Sequence, residues 1–230
     1  LRGGQRGEGK RIWLTASGGP FRQRALDTFP AIRPDEALKH PTWSMGPRIT
    51  VGSATMMNKA FEVIEAHHLF GLSAEEIQVV IHPQSVIHSM VEWQDGSILA
   101  QLGKPDMRVP ILYCLAYPER VPFDFEPFDP VKIAQLDFQP VDPDRYPAVP
   151  LAFEVLNRGG DSGAVLNAAD EVLTEMFLAG RVPFPGITET VRNVVHSASP
   201  KPLTGLQDVY TADARGRQLA RDLVGTAPKT

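Results

Sequence analysis

The sequence predicts an α/β protein: an α+β domain on a small mixed sheet, followed by an α-helical C-terminal bundle. Three observations predict it. Short β-branched runs cluster before residue 103, and two of them flank "QDG", a hairpin signal. Residues 118 to 150 hold eight prolines, at 118, 122, 127, 130, 140, 143, 147 and 150, a density that argues for an extended crossing segment. From about residue 147 onward, helical patterns with Gly stops dominate. The expected division is therefore a first domain over 1–117, a Pro-rich linker over 118–146 and a helical domain over 147–230.

Taken in order, "RIWLTA" (11–16) is a strand that runs into "SGGPFR" (17–22), a Gly-Gly turn. "RPDEALKHPTWSMGPR" (33–48) carries a short helix at most and then a loop rich in turn residues. "SATMMNKAFEVIEAHHLF" (53–70) reads as one helix, with Ser53 as N-cap and Gly71 as its stop. "IQVVIHP" is a buried strand, and "SVIHSMVEW" and "SILAQL" form the hairpin. "MRVPILYCLAYPERV" is helical, with Pro110 tolerated near its start. "LAFEVLNRGG", "DSGAVLNAADEVLTEMFLAG", "GITETVRNVVHS" and "LQDVYTADARGRQLARDLVG" complete four helices of a bundle.

Composition narrows the function. A net charge of -4 gives no electrostatic case for nucleic acid. The single cysteine, Cys114, rules out an intrachain disulfide and suits a reducing compartment. No apolar run is long enough to span a membrane. "LRGGQRGEGK" has neither an initiator Met nor the apolar core of a signal peptide, and reads as the lead-in of a piece of something longer. Neither GxGxxG nor GxxxxGK[ST] occurs, so the chain shows no nucleotide-binding half of its own.

The chemistry gathers on the 53–70 segment. With about 100° per residue and Asn58 at zero, Glu62 falls near 40° and Lys59 near 100°. Met57, Phe61, Ile64 and His68 fall between about -60° and -120° as a packing stripe. A polar stripe of Asn58, Lys59 and Glu62 thus runs beside it, and Ser53 sits where free N–H groups attract anions. Glu62 can hold a divalent cation or share charge with Lys59. Alone, such a stripe is ordinarily a solvated face. The neighbouring segments change the balance. The "SGGPFR" N–H groups can cradle a phosphate with the Ser17 hydroxyl assisting, although most such turns only need positive φ. "HPTWSMG" places a large ring between Pro and Gly, either docked in a core or used as a lid. His82 and His88, six apart across a proline, have no metal-ligand spacing and read as satisfied strand histidines.

"LTASGGPFR", "HPTWSMG", "SATMMNKAFEVIEA", "IHPQSVIHSMVEWQDGS" and "GKPDMRVPI", in this order, resemble 1-deoxy-D-xylulose 5-phosphate reductoisomerases from about residue 11 to the end, more loosely after 118. The resemblance implies an NADPH-dependent rearrangement and reduction that gives 2-C-methyl-D-erythritol 4-phosphate in the non-mevalonate isoprenoid route, with Mg²⁺ or Mn²⁺ on the substrate oxygens. It implies inhibition by fosmidomycin-type phosphonates. Ser17, Ser53, Asn58 and Lys59 are carried over to phosphate and hydroxyl contacts. His40 and Trp43 go to a flap over 39–48 that lines and closes the substrate pocket, and His88 lies near the phosphate. Glu62 is one metal ligand, and Met107, with Gly46, adjoins the nicotinamide. Lys59, Glu62 and His40 are the catalytic set. The polar stripe then follows from one ligand that needs a phosphate contact, hydroxyl contacts and a metal bridge together.

Gly52 departs from the usual Asp or Asn, Pro47 from a basic residue and His68 from Trp. The family's N-terminal NADPH-binding domain, with two further acidic metal ligands, is expected as a partner outside this sequence. A sugar-phosphate substrate and a second copy in a homodimer are further expected partners, in a bacterial cytoplasm or a plastid stroma. Two other readings stay open: a metal-assisted sugar-phosphate isomerase or aldolase without a redox step, and an inactive dimerising fragment.

Overall fold

The structure is a computed structural model of the 230-residue chain and describes residues 7–39 and 45–226. It divides into two compact units: Leu1–Ser17 with Gln78–Pro140, and Gly18–Ile77 with Val141–Thr230. The division is thus discontinuous in sequence. The 1–117 segment expected as one domain is shared between the units, and the second unit takes residues 18–77 together with the helical C-terminal segment.

The first unit is built on a small mixed sheet in the order β2-β1-β3-β4. Its strands are β1 (Gly9–Ala16), β2 (Ile77–Ile81), β3 (Ile87–Trp93) and β4 (Ile98–Leu102). β1 and β3 run antiparallel with Leu14 opposite Ser89, and the buried Leu14, Val91 and Trp93 fill one face. The β3–β4 hairpin turns where "QDG" predicts. Gly96 takes φ 84°, and Asp95 Oδ1 accepts the Ser97 N–H at 2.8 Å. His82 is wholly buried and stacks on Phe138 at 4.9 Å. Its Nε2 accepts the Val86 N–H at 3.2 Å, so Nδ1 carries the proton and donates to Asp137 O at 2.9 Å. The histidine is a structural tie. α4 (Arg108–Ala116) carries Pro110 in its first turn, where no intrahelical donor is lost. The Pro-rich stretch is less open than a linker. α5 (Pro130–Ile133) is capped by Asp129, and Ile81 and Gln139 exchange both backbone hydrogen bonds at 2.9 Å.

The second unit is helical: α1 (Pro34–Ala37), α2 (Pro47–Thr55), α3 (Met57–Phe70), α6 (Ala148–Arg158), α7 (Ser162–Leu178), α8 (Phe184–Ser197) and α9 (Leu206–Thr226). The buried α7 is its axis and packs against α2, α3, α6, α8 and α9. An aromatic cluster seals the core: Phe184 lies 5.2, 5.8 and 5.7 Å from Phe21, Phe29 and Phe177. α9 crosses α7 at Gly216, where any Cβ would stand 2.8 Å from Val165 O. The buried Asp161, between α6 and α7, ties that connection to the one between α8 and α9. It accepts the Lys201 N–H at 3.0 Å and pairs with Arg215 at 2.8 Å.

The helix expected over 53–70 is two helices. α2 begins at Pro47, an N1 proline, so Ser53 lies inside it and is not an N-cap. The break falls at Met56, whose backbone is left-handed at φ 58°, ψ 20°. Thr55 supports the break by its side chain: Oγ1 accepts the Met57 N–H at 3.3 Å and donates back to Val51 O at 3.2 Å. The buried face of α3 is also rotated from the expected stripe. Met57, Lys59, Ala60, Val63 and Ala66 are buried, whereas Phe61 and Ile64 are half-buried and His68 is exposed.

Candidate functional site

The site elements of the second unit are the Gly18-Gly19 turn, α2 and the first turns of α3. Gly18 and Gly19 take φ 81° and 65°, a conformation that only glycine adopts freely in succession. The Gly18 carbonyl is fixed by the Tyr146 hydroxyl, which donates to it at 2.8 Å. Tyr146 is almost fully buried, and burial pushes its phenol up to about 12, so it stays a donor. Arg145 braces the same turn by donating to Phe21 O at 2.9 Å and Arg24 O at 2.6 Å. Gly19 lies on the backbone of α2: a Cβ there would stand 2.8 Å from Ser53 O and 3.0 Å from Ala54 Cα. The turn and Ser53 are therefore held together without any side chain between them.

On α3, Asn58 reaches back over the break. Its Nδ2 donates to Ile49 O at 3.0 Å, and its Oδ1 lies on Gly52, so a Cβ there would push the Asn58 side chain aside. Gly52 thus has a local reason in this chain. Lys59 is buried at 8% exposure rather than part of a solvated stripe. Its ammonium donates to Glu62 Oε2 at 2.6 Å. The other two donors have no protein acceptor among the described residues, and Glu62 Oε1 is likewise uncommitted. A buried lysine paired with a single carboxylate is suited to a dianionic group with several oxygens.

The remaining predicted residues are placed as follows. Gly46 is the exposed N-cap of α2, and a Cβ there would meet nothing. Ser17 and His88 belong to the first unit and are half-buried. Met107, also in the first unit, precedes α4 and is half-exposed. His40 and Trp43 lie outside the described residues. Among the described residues no group of three or more His, Cys, Asp or Glu side chains can hold a metal ion, so Glu62 stands as one carboxylate and not as a centre. A separate cleft of about 510 Å³ in the second unit, lined by Thr55, Arg145, Phe184, Arg192 and His196 among others, contains none of the predicted residues. Tyr146 and Arg145 were not legible as site supports, because their partners lie far away in sequence. The only local signal was one tyrosine inside the proline-rich "PDRYPAVP".

Known proteins resemble this chain over nearly its whole length. Residues 1–70 match a family model described as the 1-deoxy-D-xylulose 5-phosphate reductoisomerase C-terminal domain, and residues 102–219 match one described as the DXP reductoisomerase C-terminal domain. A reductoisomerase of Nitrosomonas eutropha is 54% identical over 217 residues, which are 94% of this chain and 52% of the relative. One of Burkholderia lata is 53% identical over 95% of this chain and 55% of its own length. The chain thus spans about half the length of these relatives. The Zymomonas mobilis enzyme in complex with NADPH superimposes with TM-score 0.90 at 43% identity, over 96% of this chain and 57% of that one. A DOX-P reductoisomerase in complex with NADPH, fosmidomycin and magnesium gives 0.87 at 40%, over 95% and 56%. With its sequence motifs, its fold and a family match over more than half its residues in agreement, the chain belongs to the 1-deoxy-D-xylulose 5-phosphate reductoisomerase family.

Proposed function

We propose that this chain supplies the substrate-binding part, and one carboxylate of the metal site, of an enzyme that converts 1-deoxy-D-xylulose 5-phosphate into 2-C-methyl-D-erythritol 4-phosphate with NADPH. The observation that carries the reading is the pair of the buried Lys59 with the partly exposed Glu62 on α3, in the unit where Gly19 packs on Ser53. A phosphate dianion needs N–H groups, hydroxyls and a cation. The Gly18-Gly19 backbone, Ser53 and Lys59 are read as those groups, and Ser17, by family likeness, as a further hydroxyl contact. Asn58 offers an amide to a substrate hydroxyl when it leaves Ile49 O. The burial of Lys59 strengthens its pull on developing negative charge, because little water competes. His40 and Trp43 are read as the pocket's covering residues, His88 as a neighbour of the phosphate, and Met107 with Gly46 as neighbours of the nicotinamide.

NADPH and Mg²⁺ enter this reading from the relatives' complexes. Glu62 fits one place on a hard cation, and the described residues do not complete a cation site. The carrier of the remaining groups is read as the family's NADPH-binding N-terminal domain. A homodimer is supported by the outer strand β4, whose Ile98, Leu99 and Leu102 are exposed along the sheet edge. The bacterial relatives and the single Cys114 support a bacterial cytoplasm.

The test is a coupled assay with substrate, Mg²⁺ and NADPH, followed by NADPH absorbance. A full-length reductoisomerase carrying this sequence is expected to turn over, and the 230-residue chain alone is expected not to. Product without NADPH consumption would instead favour the isomerase reading.

A further inference from the structure

We propose that Glu171 of α7 is a positioning residue for the reaction, acting through Arg48 on the helix that carries Ser53. The inference rests on the reading of α2 and α3 as the substrate site.

α2 is a helix of nine residues that ends at the left-handed break at Met56, and its N-cap, Gly46, has no side chain to cap it. Left to itself, such a helix is marginal. Its first turn is held from outside. The Arg48 guanidinium donates to Glu171 Oε1 at 2.9 Å and to Asn167 Oδ1 at 3.0 Å, two acceptors one turn apart on α7. A guanidinium gripped at two points is fixed in direction as well as in distance. Glu171 is fixed in turn: its Oε2 accepts from Arg217 of α9, and Arg217 Nε donates to Asp213 at 2.7 Å. The chain Arg48–Glu171–Arg217–Asp213 therefore runs from α2 across α7 to α9.

Its members are partly exposed, with Arg48 at 44% and Glu171 at 25% of their side-chain surface, so it adds little to global stability. Its effect is directional. α2 carries Ser53, whose backbone seats Gly19, and Ile49, whose carbonyl holds Asn58. Any swing of the first turn moves the donors on both sides of a bound phosphate, and small displacements of binding groups are costly in rate.

The experiment has two arms. In a full-length reductoisomerase carrying this sequence, Glu171→Gln and Arg48→Gln are each expected to lower kcat/KM for 1-deoxy-D-xylulose 5-phosphate by about tenfold, mostly through KM. The double variant is expected to be no worse than Arg48→Gln alone, because both act through one contact. Losses that multiply in the double variant, or an unchanged Glu171→Gln, overturn the proposal. In the 230-residue chain, amide hydrogen exchange across residues 47–55 is expected to rise in Glu171→Gln while that of β1 and β3 stays unchanged. Unchanged exchange in α2 overturns the proposal whatever the enzyme does. A parental enzyme without turnover, together with faster exchange in α2, supports the clamp and retires the functional reading instead.

Discussion

Lys59 shows how much a single residue's surroundings decide. On the helical wheel it stands beside Asn58 and Glu62 as one more polar side chain. In the fold it is buried, and its charge is balanced by Glu62 at 2.6 Å. Burying an ammonium is costly unless it is paired, and the position is one that a methionine would fill at lower cost in desolvation. The two N–H donors that remain are the return on that cost if a phosphate or hydroxyl oxygen takes them. Lys59→Ala in a full-length reductoisomerase carrying this sequence is expected to lose about 1.5–3 kcal/mol of transition-state binding, roughly 10- to 100-fold in kcat/KM. Steady-state kinetics on the purified variant reads this directly, and an unaltered kcat/KM would remove Lys59 from the phosphate contact. Glu62 is the contrasting case: it is 42% exposed at its side chain and has one oxygen uncommitted, which suits a ligand shared with groups outside this chain.

At the scale of elements, the site depends on two close approaches made by glycines, of which the first tolerates no other residue without strain. Gly19 meets the α2 backbone, and Gly52 meets Asn58. Gly19→Ala must accept a left-handed φ of 65° and a Cβ 2.8 Å from Ser53 O. Gly71, at the end of α3, has φ 68° with nothing near its Cβ position, and so isolates the conformational part of the cost. Urea unfolding is expected to show Gly19→Ala destabilised by about 1–3 kcal/mol beyond Gly71→Ala. Equal costs for the two would mean that the turn does not rest on α2. These elements also show where sequence patterns stop. The β3–β4 hairpin and α6 to α9 were legible, because their signals are local: a "QDG" turn, apolar periodicity and Gly stops. The Gly71 stop was legible for the same reason. The break between α2 and α3 was not, since the apolar pattern runs on through "ATMMNKA" and the alternative depends on one threonine hydroxyl and a left-handed methionine. The burial of Lys59 was not, because it depends on which neighbours cover α3. Tyr146 and Arg48 act on partners 128 and 123 residues away.

At the scale of the whole molecule, the stability of the helical unit carries a pH dependence that comes from its core. Asp170 lies on α7 at 2% exposure, and its Oδ1 has no hydrogen-bond partner among the described residues. Burial raises its carboxyl to about 7, with Arg48 opposing and Glu171 adding to the shift. In the unfolded chain the same group ionises near 3.8. Between these two values the folded protein holds a proton that the unfolded chain has released. Stability attributable to Asp170 is therefore present at low pH, falls as pH rises from about 4 to about 7, and is flat above. Asp170→Asn keeps the shape and removes the charge. It is expected to be the more stable protein at pH 8, by on the order of 2–4 kcal/mol, and to lose that advantage towards pH 4. Other carboxylates in the chain impose their own acid dependence, so the quantity to read is the difference between variant and parent in urea unfolding at each pH. A parent that gains on Asp170→Asn as pH rises from 5 to 8 would mean that the Arg48 charge outweighs burial at this site. Asp170 would then be held as a carboxylate beside the Arg48–Glu171 contact, and α7 would grip α2 through two acids instead of one.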